Sequence, residues 1–215
     1  MPNAVLNFDE LNIINRDKIR AAVEAEIFSE LPERKIDRKR VEDIIFALLT
    51  MAYAFGIDKA GLDLGEKPEV SEGRQEDAIT APTAGMTAFQ RMDEHIHNAE
   101  PAIEAGGPAA VDAAIALVEQ LTTLIETEAG RVTNTAIFDA AEDFQRKNPN
   151  RVVMKRWVAV LDDRTRDTHF YLDGTEVPLD AYFYSYSGDR ALFPHGFQTA
   201  QENTNCRCST DIIVY

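Results

Sequence analysis

Cysteine is almost missing from this 215-residue chain: only Cys206 and Cys208 occur, one arginine apart. A disulfide framework needs well-separated pairs, and bridging residues i and i+2 would close a strained ring, so both are read as reduced thiols. Bases are scarce too. Twenty-two of them face 37 acids, and the net charge of −15 argues against a general nucleic-acid coat. No apolar run approaches the ~20 residues of a membrane span; the longest, Ile44 to Ile57, is interrupted by Thr50. The opening MPNAVLNFDELN has neither the basic nor the apolar segment of a secretory signal. A soluble cytosolic chain with no membrane partner is the expectation. Glycine-rich phosphate loops, GxSxG elbows, HExxH pairs and CxxC knuckles are also missing from the sequence.

What is present can build a sizeable core. The chain is 45% hydrophobic and 27% charged, ordinary values for one or two globular domains. Charge and aromatics are unevenly spread. Residues 61–150 hold 17 acids and 6 bases, whereas 10 of the 18 aromatics fall in residues 151–215. The breaker Asn148-Pro149-Asn150 marks the change, giving a helical region over 1–148 and a β-rich domain over 149–215. Helices first and a small sheet last make the expected class α+β.

Periodicity predicts four helices. Ile19, Val23, Ile27 and Leu31 form an i, i+4 stripe that Pro32 ends. Asp37 caps a second helix carrying Val41, Ile45, Leu49 and Ala52, with Gly56 as its stop. Residues 61–83, rich in glycine, proline and charge, read as a long loop, and a third helix covers Gly85 to Asn98. The fourth is long, about 109–147. Its seam of Val111, Ile115, Val118, Thr122, Ile125, Ala129, Val132 and Ala136 alternates 4 and 3 spacing. This is read as the core face of a bundle, with self-association through a coiled coil as the alternative.

The C-terminal part carries strand signals. Val152 to Leu161 makes a strand around Trp157, and Asp162 or Asp163 caps a turn of helix over Arg164 to Thr168. His169 to Leu172 and Thr175 to Val177 flank Asp173-Gly174, the dipeptide of a type I′ hairpin. Tyr182, Tyr184 and Tyr186 alternate along another short strand, and Arg207 to Tyr215 closes the sheet.

Two strings stand out: KRWVAVLDDRTRDTHFYLDG at 155–174 and NTNCRC at 203–208. The order Trp157, Asp162-Asp163-Arg164-Thr165-Arg166, His169, Asp173-Gly174, then Asn205-Cys206-Arg207-Cys208 resembles the C-terminal domain of phage Mu F-like head morphogenesis proteins. The likeness covers about residues 125–215 and includes IETEAGRVTNTA, where family members also carry a glutamate and an arginine on a helix. One departure is Phe193-Pro194-His195-Gly196, which stands where relatives often have a Pro-Gly-Asp-Pro-like turn. The resemblance implies a minor head protein of a tailed phage, made in the host cytoplasm and built into the virion. It implies association with the portal or the major capsid protein on the inner capsid surface, sometimes with packaged DNA. Some relatives carry toxin domains after the shared one; with Tyr215 seven residues past Cys208, none is expected here.

For chemistry, His169, Cys206 and Cys208 are candidate zinc ligands, with Asp162 or Asp163 completing a tetrahedral set. The competing reading is a metal-free tie in which both thiols pack as small hydrophobes and His169 hydrogen-bonds locally. A metal- or thiol-dependent enzyme built on His169, Cys206 and Cys208, with Asp162 or Asp163 as base or with His169 or His195 beside a thiol, is the alternative function. Arg164 and Arg166 sit among Asp162, Asp163 and Asp167, the pattern of an internal salt-bridge knot more than of a phosphate grip. Trp157 is core, its indole N–H needing one acceptor. The dense basic run Arg34, Lys35, Arg38, Lys39 and Arg40 is a solvated helix start or, more sharply, a contact for DNA or the portal.

Overall fold

The computed structural model describes residues 15–71, 73–83 and 85–215; the opening segment read for a secretory signal lies outside them. The first helix, α1 (Arg16–Glu30), is capped by the Asn15 side chain and buries Ile19, Val23 and Ile27, the predicted stripe. A 3₁₀ turn at Leu31–Glu33 leads to α2 (Arg38–Leu64), whose first N–H groups bond to the Asp37 carboxylate. Gly56 does not stop this helix. A methyl there would meet the Thr133 carbonyl oxygen at 2.3 Å, so glycine serves the close approach of α2 to the long helix. The helix ends instead at Gly65, in the left-handed region at φ 74°.

The expected loop over 61–83 contains a helix, α3 (Arg74–Thr80). Its seven residues are too few to hold alone; Ile79 is buried, and Arg74 pairs with Asp139 and Glu142 of the long helix. The next helix, α4 (Ala88–Ala105), opens with a Thr87–Gln90 capping box and runs past Pro101. Proline removes one helical N–H there, but Ile103 beyond it is buried and anchors the last turn.

The long helix, α5 (Pro108–Lys147), is the axis of the molecule. Forty residues rise about 60 Å, and α1, α2, α3 and α4 all pack along it. Its seam differs from the expectation at the start: Val111 and Ile115 are exposed, and Ala110 and Ala114 are buried in their place. From Leu117 onward the predicted seam is inside, widened until every residue from Glu128 to Asn134 is buried. α2 and α5 have the length and hydropathy of membrane spans, a test that core helices of this kind also pass.

After α5 the chain forms a three-stranded antiparallel sheet in the order β2-β1-β5, from β1 (Val153–Val158), β2 (Glu176–Pro178) and β5 (Ser209–Val214). Trp157 lies opposite Thr210, and Lys155 opposite both Ile212 and Val177. The Tyr-rich strand shrinks to the pair β3 (Phe183–Tyr184) and β4 (Arg190–Ala191). Two single-turn helices, α6 (Asp167–Phe170) and α7 (Ala200–Asn203), complete the domain. The chain is thus α+β.

Two features of this part differ from expectation. No hairpin spans Asp173-Gly174, because His169 lies in α6 and only Gly174 has positive φ, whereas type I′ needs it at both residues. Asp162 and Asp163 do not cap α6, whose N-cap is Arg166. The apolar cluster joining Ile137, Ala141 and Phe144 of α5 to Val153 and Ile212 of the sheet docks the two regions.

Candidate functional site

The C-terminal core is built around Trp157, fully buried on the inner face of β1. His169, Phe183 and Phe197 surround it, with ring centroids 5.5, 5.2 and 5.6 Å away. Cys206 and Cys208 share this cluster. They precede β5 and do not belong to it; Asn205, in the left-handed region at φ 56°, turns the chain inward just before them.

The two motifs, 37 residues apart, meet here. His169 Nδ1 lies 3.5 Å from Cys206 Sγ and 3.5 Å from Cys208 Sγ. Among the described residues, His169, Cys206 and Cys208 are the one group of ligand-type side chains whose donor atoms all fall within 4.8 Å of one another, and all three are buried. On the far side of the ring, Nε2 is 3.0 Å from the Glu202 carboxylate. Glu202 is itself buried, accepting hydrogen bonds from Thr168 Oγ1 at 2.9 Å and Ser187 Oγ at 2.7 Å. Burial opposes its charge, yet these bonds and His169 hold the carboxyl below its ordinary value. Burial pushes the Cys206 thiol well up. Cys208 is pulled down to about 5, chiefly by its hydrogen bond with Cys206, against burial and with help from His169 and the Trp157 indole. The buried indole N–H makes no hydrogen bond of ordinary geometry among the described residues.

Asp162 does not join the cluster, a correction to the expected ligand set. Its carboxylate is held in a bidentate grip by Arg207, one arm at 2.8 Å, and also accepts from the Arg164 backbone N–H at 3.0 Å. The Arg207 hydrogen bond holds it well below the usual carboxylate range. Of the expected salt-bridge knot, Arg164 pairs with Asp162 at 3.4 Å, whereas Arg166 donates to the carbonyls of Glu202 and Thr204, tying α6 to α7. Asp163 is exposed. Asp173 accepts from the Ala159 N–H at 2.8 Å, and the Gly174 N–H donates to the Trp157 carbonyl at 2.9 Å, so this turn closes the end of β1.

Several residues of the site were not singled out in the sequence. Glu202, Thr168 and Ser187 are three; Asn203, whose side chain bonds both backbone groups of Phe197, is another. His195 is buried with φ 67° and packs on α5 at Gly130, where a methyl would come within 2.4 Å of its ring. Burial lowers its pKa to about 3, and the positive charges of Arg131 and Arg166 act in the same direction. Lys155 takes a buried place in β1 between Val153 and Trp157, its Nζ donating to the Leu179 carbonyl at 2.6 Å and facing the rings of Phe138 and Phe183. The Glu and Arg of the motif helix, Glu128 and Arg131, form a buried pair at 2.7 Å, with Arg131 also bonded to the Ala78 carbonyl.

The basic run faces its own acids. Arg38 pairs with Asp93 and Glu100, Lys39 with Glu42 and Asp43, and Arg40 with Glu26 and Glu30. Arg34 lies against Gly106, and Lys35 is exposed.

Two curated proteins match part of this chain. A protein named NAD(+)–arginine ADP-ribosyltransferase EFV, from Enterococcus faecalis, is 36% identical over 96 residues, which is 45% of this chain and 19% of that protein. The minor head protein GP7 of Bacillus phage SPP1 is 33% identical over 88 residues, 41% of this chain and 28% of the relative. The chain thus spans under a third of the length of either. No solved structure matches it. The family described as Phage Mu protein F like protein matches residues 74–211, from the first residue of α3 to within β5 and so well upstream of residue 125. With that match covering more than half of the chain, and with the motifs gathered around Trp157, the protein belongs to the Phage Mu protein F like family.

Proposed function

We propose that this protein is a structural component of a tailed-phage head, acting in head morphogenesis by docking onto the portal or the inner face of the major capsid protein. The observation that carries the reading is family membership over residues 74–211 together with likeness to a phage minor head protein. The surface supports it. Phe170, Tyr171, Tyr184 and Tyr186 are all more than half exposed, with the Tyr171 and Tyr186 rings 5.1 Å apart. Exposed aromatics grouped in this way suit a protein partner, since they supply large contact area at low entropic cost. DNA contact is the weaker part of the proposal. The net charge is −15, and Arg38, Lys39 and Arg40 are already engaged by acids. Synthesis in the host cytoplasm followed by incorporation into the procapsid completes the reading.

The test is to purify procapsids and virions from producing cells and identify this chain in them by mass spectrometry and cross-linking. It is expected in the particles, cross-linked to the portal or capsid protein. Presence only in the cytosol would overturn the proposal. Tyr171→Ser with Tyr186→Ser is expected to reduce incorporation without lowering the melting temperature. Incubation with NAD and an arginine-containing acceptor is the companion assay: transfer of ADP-ribose above background would replace the structural reading with an enzymatic one.

A further inference from the structure

We propose that His169, Cys206 and Cys208 form a zinc site that clasps the C-terminal domain, with water as the fourth ligand. The site stands apart from any role in the phage head. Glu202, beside the His169 ring, accepts hydrogen bonds from Thr168 and Ser187. The Glu202 carboxylate lies 3.0 Å from Nε2, outside ideal hydrogen-bond direction, and its negative charge favours the tautomer with the proton on that nitrogen. A neutral imidazole then has its lone pair on Nδ1, and Nδ1 is the atom placed 3.5 Å from both sulfurs. One lone pair cannot accept well from two thiols. It can share a single cation with two thiolates.

The distances fit that cation. Zinc bonds of about 2.0 Å to nitrogen and about 2.3 Å to sulfur, at the tetrahedral angle, separate nitrogen from sulfur by about 3.5 Å. Both observed separations have this value. The donor set of two thiolates and an imidazole is the type that selects zinc over the oxygen-seeking cations. A carboxylate on the distal nitrogen is the usual outer partner of a metal-bound histidine, fixing its tautomer and orientation. The backbone N–H of Cys208 points at Cys206 Sγ, 3.4 Å away, where it would stabilise a thiolate. Two thiolates balance the charge of Zn²⁺, and their protons leave to solvent. Asp162, locked to Arg207, supplies no ligand. A cavity of about 10 Å³ borders His169, Cys206 and Cys208, bounded also by Val160, Thr165 and Arg166. That is room for about one water.

The test uses the full chain, stripped of metal under reducing conditions and titrated with Zn²⁺ and with Co²⁺ as a spectroscopic probe. The expected result is one equivalent bound, with thiolate-to-cobalt charge-transfer bands and the intense visible bands of a tetrahedral centre. Cys206→Ser and Cys208→Ser should each weaken both the charge-transfer bands and the affinity, the double substitution should abolish the bands, and Asp162→Asn should leave them unchanged. Glu202→Gln keeps all three ligands and is expected to weaken affinity 10- to 100-fold, a loss that a mere packing role for His169 would not produce. Wild-type protein that binds substoichiometrically, or takes up cobalt without thiolate bands, overturns the proposal whatever the variants do. So does unchanged affinity in a folded Cys208→Ser protein.

Discussion

The helical region and the C-terminal domain are held together by different physics. Around α5 the interior is aliphatic: Ile19, Ile27, Ile45, Leu49, Leu117 and Leu121 are all fully buried, and the helices meet through repeating apolar stripes. The C-terminal interior places Trp157 and Phe183 beside buried His169, Glu202, Asn203, Lys155 and two cysteines. A stripe of aliphatic residues tolerates change of one member, because burial is roughly additive and non-directional. A core of polar groups does not, since each depends on a partner of fixed position and loses that partner's bond together with its own solvation. The small sheet compensates by resting on α5 through Ile137, Ala141 and Phe144. The contrast teaches that stability is delocalised in the first region and concentrated in a few contacts in the second.

The sharpest way to break this comparison is to separate the parts. Residues 150–215 alone should not fold cooperatively, since so short a segment loses its platform on α5; dispersed amide spectra with a cooperative melt would show that the C-terminal core suffices by itself. Next in size is Trp157→Ala, expected to cost about 3–5 kcal/mol by denaturant unfolding because the residue is wholly buried. Val111→Ala, on the exposed start of α5 and outside the buried stripe, is the surface control and should stay within about 0.5 kcal/mol. Gly130→Ala tests the docking contact directly. Its methyl would drive into the His195 ring, and overpacking of this kind costs about 1–3 kcal/mol, more than the helix propensity gained.

A further effect, which grows as the medium is acidified, concerns His195. His195 is kept neutral, with its pKa lowered to about 3, while the unfolded chain takes up the proton near pH 6.5. Stability is therefore full above about pH 6.5 and falls as pH drops toward 3, by about 1.4 kcal/mol per unit for this group alone. Hydrogen exchange should show the C-terminal amides losing protection first, and His195→Gln should flatten the slope. An unchanged slope in that variant would place the acid sensitivity elsewhere.

Legibility follows the same division. Ile19, Val23 and Ile27 announced α1, and Val118 through Ala136 announced the buried seam of α5, because helical burial repeats locally. Gly56 misled for a tertiary reason: its missing side chain accommodates the Thr133 carbonyl of another helix, which no local pattern encodes. α3 was hidden because seven residues have no helical stability of their own and depend on Arg74 reaching Asp139. In the C-terminal part, Trp157, His169, Cys206 and Cys208 were visible as unusual residues in order. Glu202, Thr168 and Ser187 were not, since a carboxylate or hydroxyl carries no signal until the fold brings it to a histidine.

By itself the sequence determined the class, the long helix, the position of the breaker after it, and the resemblance carried by the Trp157-to-Cys208 motifs. These are local or ordered features, written in spacing and composition. The tertiary structure alone decided which nitrogen of His169 faces the sulfurs, that Asp162 belongs to Arg207, and that His195 sits on Gly130. Each of those is a contact between residues 37 or more positions apart. Such contacts are selected by chain closure and the cost of unpaired buried groups, quantities that exist only once the chain is folded.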